Sequence, residues 1–439
     1  MKNNLTALPQ IWMLQLFAEP NTQTTLLNAP GNDLSPEMRN VYMVQDLLRP
    51  GKPNLVHQQV CKHKPLPKGN SKTVNWRIFD NFPKAMTPLT EGVTPDGNKL
   101  NVRAVEAEVR QYGDYTQISD MLELTTYDPI VGEITRGHSA NMAKTMDAVA
   151  RNEMLTCPNV FFAPSVAPDG TVTAHQTRAE LDENARVTPK LIARVVASLE
   201  AVNAPKYDGM YIAIIHPHQK YDIMTSDGFV DMVKYQSVRQ IFDGEIGELY
   251  GVRFLVSSEA KIAKGEKLTA AGETVTNGGS EVARSTGSGT TTVTLASAIQ
   301  AGDHILEATA DNPVLLNVNG VEFECVGATA GGSGKLQIQQ PHEAIPGSAV
   351  IYPGGAGKNN LAVYPMLILG EGAVGDVELS EDGADVIVKQ RGSAGTADPL
   401  NQRSTIGWKS TYCAKVLMPD YIYRLEACCE MSADVEEGN

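Results

Sequence analysis

The 439 residues carry a formal net charge of −14, and 42% of them are hydrophobic against 20% charged, which excludes a chain disordered throughout. The sign also speaks against a protein that grips nucleic acid over its whole surface, because neutralising phosphates takes lysine and arginine. Glycine (38) and proline (25) favour a loop-rich, partly β architecture over a helical bundle.

The six cysteines, Cys61, Cys157, Cys325, Cys413, Cys428 and Cys429, form no CxxC and no disulfide framework, and read as free thiols of a reducing cytoplasm. The run Ile11–Phe17 is too short for a membrane span or a secretory core. The expectation is a protein made and kept inside a cell.

Residues 1–70 read as an extended arm. Its apolar patches are short, prolines punctuate them, and its lysines and arginines slightly outnumber its acids. Such a segment cannot bury enough surface to offset its own ordering entropy, so it should order against its own body or a neighbour.

From Thr73 the pattern alternates: Val74, Trp76 and Ile78 against Thr73, Asn75 and Arg77, then Val105, Ala107 and Val109 against Glu106, Glu108 and Arg110. A turn-rich stretch with Pro95-Asp96-Gly97 separates them. The reading is a β-hairpin over 71–118, with about eleven residues per strand and a reach of roughly 35 Å. A hairpin of that length is marginal in water and wants a partner surface.

Asp128-Pro129 then predicts a helix N-terminus, with apolar positions from Ile130 to Met154 giving a helix of about 26 residues, roughly 40 Å long. Thr188-Pro189 opens a second helix carrying Leu191, Ile192, Val195, Val196, Leu199 and Val202. A buried strand, Met210–Ile215, follows. Residues 238–256 read as a helix-to-strand passage with turns at Gly244, Gly247 and Gly251.

Across 260–360 six short β runs appear: Thr291–Leu295, His304–Ala308, Val314–Val318, Val321–Val326, Lys335–Gln339 and Ala349–Tyr352. Asn319-Gly320 is a type I′ hairpin signal. This stretch predicts a small all-β barrel or sandwich inserted between strands Val252–Ser258 and Leu361–Leu369. Beyond it come a strand at Val386–Lys389, a turn at Asp398-Pro399-Leu400, strands at Thr411–Met418 and Tyr421–Cys429, and a solvated acidic tail over 433–439. The fold class is α+β.

Catalytic motifs are absent from the string. Gly334-Lys335 and Gly357-Lys358 lack the other glycine and the hydroxyl of a phosphate loop. His216 and His218 sit two apart with no third ligand close in sequence, and read as structural. Glu106/Glu108 and Asp382/Asp385 look like solvated faces. No catalytic, cofactor or metal residue is assigned. An intracellular enzyme with a β accessory domain and a β-rich adhesin are the rival readings.

Several segments, in their order along the chain, resemble tailed-bacteriophage major capsid proteins of the HK-ninety-seven-type fold, closest to the coliphage N-four-like branch. They are Tyr112-Gly113-Asp114-Tyr115 with Ser119-Asp120 and Glu123, Ile215-His216-Pro217, Asp243-Gly244-Glu245-Ile246-Gly247 with Gly251 and Arg253, and Tyr364-Pro365 leading to Gly370. The strongest is Asp398-Pro399-Leu400-Asn401-Gln402-Arg403 followed by Ile406-Gly407-Trp408-Lys409. The likeness covers 40–258 and 361–430. It departs at His218, where an acid is expected, and in the longer β-rich stretch. The resemblance implies an arm (1–70), the hairpin (71–118), a spine-helix peripheral domain (119–205 with 385–432) and a central axial domain (206–259 and 361–384). The role of the insert (260–360) does not carry over; as a self-contained unit whose flanking strands supply its ends, it is expected to project from the outer shell surface. The resemblance further implies pentamers and hexamers closing into an icosahedral virion shell assembled in the bacterial cytoplasm. Implied partners are further copies of the chain, scaffolding and portal proteins, and double-stranded DNA met without sequence specificity; no membrane is implied. Subunit-contact candidates are Trp76, Lys84, Glu91, Lys99 and Arg136.

Overall fold

The computed structural model describes residues 55–67, 71–86, 88, 91–92, 97–126, 129–226, 248–285, 289–379, 384–393 and 399–439. Most of the arm, the Pro95-Asp96 turn residues, the helix-capping Asp128, Gly244, Gly247 and Asp398 lie outside them.

The continuous apolar run Tyr211–Ile215 is the middle of the central sheet, as expected of a strand buried on both faces. Beside it run Tyr364–Leu369, antiparallel and buried at all six positions, and Val252–Val256, parallel. Ile422–Ala427 and Val160–Phe162 extend one side, and Glu248–Leu249 the other. The helix Pro189–Ala201 covers one face with Leu191, Ile192, Val195, Val196 and Leu199. The other face meets Val56, Val60 and Met154.

The spine helix runs from Ile130 to Met154. Its first-turn cap is Pro129, which offers no side-chain acceptor. Arg403–Val416 is one strand of fourteen residues where the sequence suggested a start at Thr411. Two glycines let it run unbroken beside Arg110–Ser119. A Cβ on Gly407 would come within 2.7 Å of Tyr115 Cβ, and one on Gly113 within 2.7 Å of the Trp408 carbonyl. The register holds from Arg403↔Ser119 to Tyr412↔Arg110. On its other side lie Val374–Leu379 and then Ala384–Lys389, both antiparallel, with Lys62–Leu66 parallel to the former. The spine helix packs Met146 and Ala150 onto Trp408, Tyr412 and Ala414 of this peripheral sheet.

These pairings correct several expectations. Only Thr73–Phe79 and Val102–Glu108 form the hairpin, seven residues each, so it spans roughly 23 Å. Arg110–Ser119 keeps the same alternation but finds a longer partner in Arg403–Val416. Helix Pro189–Ala201 and strand Ile422–Ala427 belong to the central layer, not to a spine-helix domain, while Val374–Leu379 leaves the central domain for the peripheral sheet. Periodicity marks an element; it does not say which sheet completes its hydrogen bonds.

The insert is a six-stranded sheet ordered Val275–Thr276, Val350–Pro353, Val314–Val318, Val321–Thr329, Lys335–Gln339, Thr290–Thr294. A bridge between Asn277 and Leu295, with Gly278 N–H donating to Thr294 O at 2.9 Å, joins its two ends into a barrel. Leu268, Val293, Leu316, Phe323, Leu336, Ile338 and Ile351 fill it. Asn319 and Gly320 both take positive φ, as the type I′ turn demands. His304–Glu307 is a 3-10 turn instead of a strand. Leu306 N–H closes it by donating to Asp303 O at 3.0 Å, and the Asp303 carboxylate ties the preceding chain by accepting from Gln300 N (2.8 Å) and Ala270 N (2.9 Å).

The barrel is bolted to the central layer. Asn317, fully buried, donates its amide to Ala179 O and Gly357 O, both at 3.2 Å, and accepts from Gly320 N at 3.0 Å. Arg178 grips Glu426 through both carboxylate oxygens (2.7 and 2.5 Å) and reaches Gly355 O at 3.3 Å. The chain enters and leaves the insert through the Ala263↔Val363 bridge. The acidic tail also docks: Asp434, Glu436 and Glu437 are exposed, yet Val435 packs on the Ala362, Tyr364 and Cys429 cluster, and Asn439 exchanges bonds with Ile262 N (2.7 Å) and Ala260 O (3.0 Å).

Asn317→Ala leaves two carbonyls and one amide without their partner, a cost of about 2 kcal/mol. The expected outcome is a lower Tm and faster limited proteolysis at the 355–361 connection, with the barrel still folded by circular dichroism. Unchanged proteolysis there would show that Asn317 is not the bolt.

Candidate assembly surfaces

The hairpin base is fixed by burial. Val74, Ala107 and Val109 pack with Val377 and Cys413, with Leu66 and Trp76 half-buried against them. Trp76 faces Val105 across the pair. Lys72 Nζ lies 2.7 Å from Glu108 Oε1 on the polar side, while Arg103, opposite Ile78 and so on the Trp76 face, holds its Nε 2.9 Å from Asp80 Oδ1. The Lys72–Glu108 hydrogen bond raises the lysine pKa and lowers that of the acid, both groups standing in solvent.

The distal half is different. Phe79 is 61% exposed, Phe82 59% and Met86 81%, with Leu100 and Val102 also exposed. A monomeric soluble protein rarely gathers this much apolar surface on a projecting element. The charged candidates Lys84, Glu91 and Lys99 are exposed on the segment joining the two strands. Arg136 is separate, on the spine helix, 3.2 Å from Glu133. No hydrogen bond or ion pair among the described residues links these four. Of the hairpin aromatics only Trp76 is among the sequence candidates; Phe79 and Phe82 are not. Phe79 and Phe82 beside Asp80, Asn81 and Pro83 were the available signal, since large apolar residues in a turn-forming segment have no core to enter.

A second apolar surface lies on the peripheral sheet and the short helix Asp120–Thr125, which buries none of its residues. Tyr115, Met121, Leu122, Leu124 and Leu400 are exposed there.

His216 and His218 flank Pro217 at the start of helix Pro217–Thr225, not on a strand. His216 Nδ1 accepts from His218 N at 3.2 Å and caps the helix, and His218 Nδ1 lies 2.8 Å from Tyr364 Oη. Burial, then the neighbouring His218, pushes His216 down to about 4. Among the described residues no group of three or more His, Cys, Asp or Glu is placed to hold a metal, and no helix is long and apolar enough to cross a membrane.

Because His216 binds its proton less readily folded than unfolded, its contribution is intact above about pH 6.5 and is lost as pH falls toward 4. After discounting for partial solvent access this amounts to about 1–2 kcal/mol. Burial raises the Asp222 and Asp376 carboxyls, which works in the opposite direction, so the comparison must be with a variant. Tm measured from pH 7 to 4 should fall less steeply for His216→Asn, which keeps a cap acceptor. Equal slopes would remove the histidine from the acid response.

No family model and no curated protein matches the sequence. Solved structures do match. A chain in the capsid structure of cyanophage P-SCSP1u has a TM-score of 0.53 at 12% identity, covering 93% of this chain and 99% of that one. A chain of the cyanophage Pam1 capsid asymmetric unit has a TM-score of 0.52 at 9% identity, covering 90% and 98%. The α+β fold of this protein, hairpin, spine helix and sheets together, is therefore the fold found in these phage capsids.

Proposed function

We propose that the chain is the major capsid protein of a tailed bacteriophage, a subunit that closes with copies of itself into the virion shell. The observation that carries this reading is the fold likeness over nearly the full length of both chains. A projecting hairpin with a half-buried base and an exposed apolar distal half is what an interlocking subunit needs. In this reading the hairpin lies on an adjacent subunit and repeats as a heterologous contact until the surface closes. Trp76 sets its angle, Phe79, Phe82 and Met86 supply apolar area, and Lys84, Glu91, Lys99 and Arg136 select register by charge. Many modest contacts then act together.

Finer assignments rest on the sequence resemblance: the HK-ninety-seven-type fold, the N-four-like branch, pentamers and hexamers, scaffolding and portal partners, DNA on the inner face, assembly in the bacterial cytoplasm. The net acidity fits a shell whose surface does not adhere to its cargo. The expressed chain, with its scaffold if one is required, should give shells, rings or tubes by negative-stain microscopy. A monomer at high concentration with scaffold present would refute the reading.

The hairpin's part is separable. Phe82→Ser combined with Met86→Ser changes side chains that face solvent in the single subunit, so its Tm should stay within the small range usual for surface changes. Particle yield should collapse. Normal particles from this variant would mean that the hairpin tip is not a contact.

A further inference from the structure

Among the described residues, strand Ala384–Lys389 is paired only on the side facing Arg403–Val416, from Ala384↔Ser410 to Lys389↔Thr405. Soluble proteins guard such an edge with proline, bulges or inward charges, because it is a template for another strand. This one carries three consecutive apolar residues, Val386, Ile387 and Val388, exposed at 37%, 42% and 48%. Being consecutive, they stand on both faces of the sheet, so no tilt of the strand buries them all. A strand added alongside would cover both faces at once.

The sequence says which strand. Asp385-Val386-Ile387-Val388-Lys389 is its own complement when turned antiparallel about Ile387. Asp385 then meets Lys389 of the second copy, Val386 meets Val388, and Ile387 meets itself, so ion pairs close both ends of an apolar middle. A parallel pairing sets aspartate beside aspartate and lysine beside lysine. An antiparallel pairing centred on Val386 sets Asp385 against Ile387 and Lys389 against Gly383. Only one register satisfies every position. Lys409 stands opposite Asp385 in the existing pairing, but among the described residues no ion pair joins them, and Arg391 is engaged with Glu123 at 2.9 Å, so Lys389 of a second copy can serve as the partner of Asp385.

We propose that this edge strand pairs antiparallel with the same strand of a second copy, about a twofold axis through Ile387. It is an isologous contact, distinct from the heterologous hairpin contact, and it rests on the self-assembly proposed above. It assigns the subunit a second docking surface whose partner is a copy of itself and whose specificity is charge.

The test combines cross-linking with charge reversal. Five of the native cysteines are buried and Cys61 is half-buried, so an exposed engineered thiol stands out. Ile387→Cys particles, mildly oxidised, should yield at least about tenfold more disulfide-linked dimer than a Leu315→Cys control on the exposed face of the barrel. Asp385→Lys alone, or Lys389→Asp alone, should weaken association about tenfold, since each places like charges opposite one another twice. The chain with both reversals restores the pairing and should assemble like wild type. Normal particles without the 387–387 link, a 387 thiol captured by another segment, or a double reversal as defective as the singles would overturn the twofold pairing and leave the capsid reading standing. A wild-type chain that stays monomeric would overturn both.

Discussion

The two-sided ladder of Arg403–Val416 is the constraint on which the described structure depends. Arg110–Ser119 pairs along one side, while Val374–Leu379 and Ala384–Lys389 share the other. That arrangement fixes where the hairpin departs, because Val109 N–H donates to Lys72 O at 2.9 Å just before the ladder begins. It fixes the spine helix too, whose Met146 and Ala150 seat on Trp408 and Tyr412. The close approach needs glycine at 113 and 407, since a side chain at either would enter the opposing strand. A last element of the frame is Asp147 of the spine helix, buried, which accepts from His57 N (2.8 Å) and Gln58 N (3.2 Å) and lies 2.7 Å from His57 Nδ1. Residues 57 and 58, read from the sequence as part of the arm, are thereby tied to the helix.

Polar and apolar groups divide the labour. Inside, buried polar groups such as Asn317, Asp147 and the Arg178–Glu426 pair are matched and hold the layers in one arrangement, as buried polar groups must be to avoid a desolvation cost. Outside, the hairpin tip, the helix Asp120–Thr125 and the strand Ala384–Lys389 expose apolar residues. The first set makes a rigid subunit. The second leaves apolar surface uncovered on the single chain, which is what the proposed assembly would bury.

Local rules read well where a segment's own chemistry decided its form. The apolar stripe of Pro189–Ala201, the run Tyr211–Ile215 and the Asn319-Gly320 turn all lie where the sequence places them. Partner-dependent features were illegible. Arg110–Ser119 alternates like the hairpin before it, and nothing local says that it pairs with residues three hundred positions away. His304–Ala308 has strand composition, but its backbone bonds go to Asp303 O and to the distant Leu268 O, not to a neighbouring strand. Asn317 reads as an ordinary strand residue, although it joins the barrel to the central layer. Among the contact candidates, Trp76 was legible from its alternation. Phe79 and Phe82 carried only the signal of large apolar residues in a turn-forming stretch, and Met86 none, because exposure is a property of the fold.

The central claim is that surfaces exposed in the subunit are buried by further copies. Hydrogen–deuterium exchange on free subunits and on assembled particles tests it most directly, because backbone protection reports burial and pairing segment by segment. The account predicts strong added protection at 73–108 and 384–389 on assembly, with the barrel core around Leu316, Phe323 and Ile338 unchanged. Equal exchange of the hairpin and edge strand in both states would contradict it.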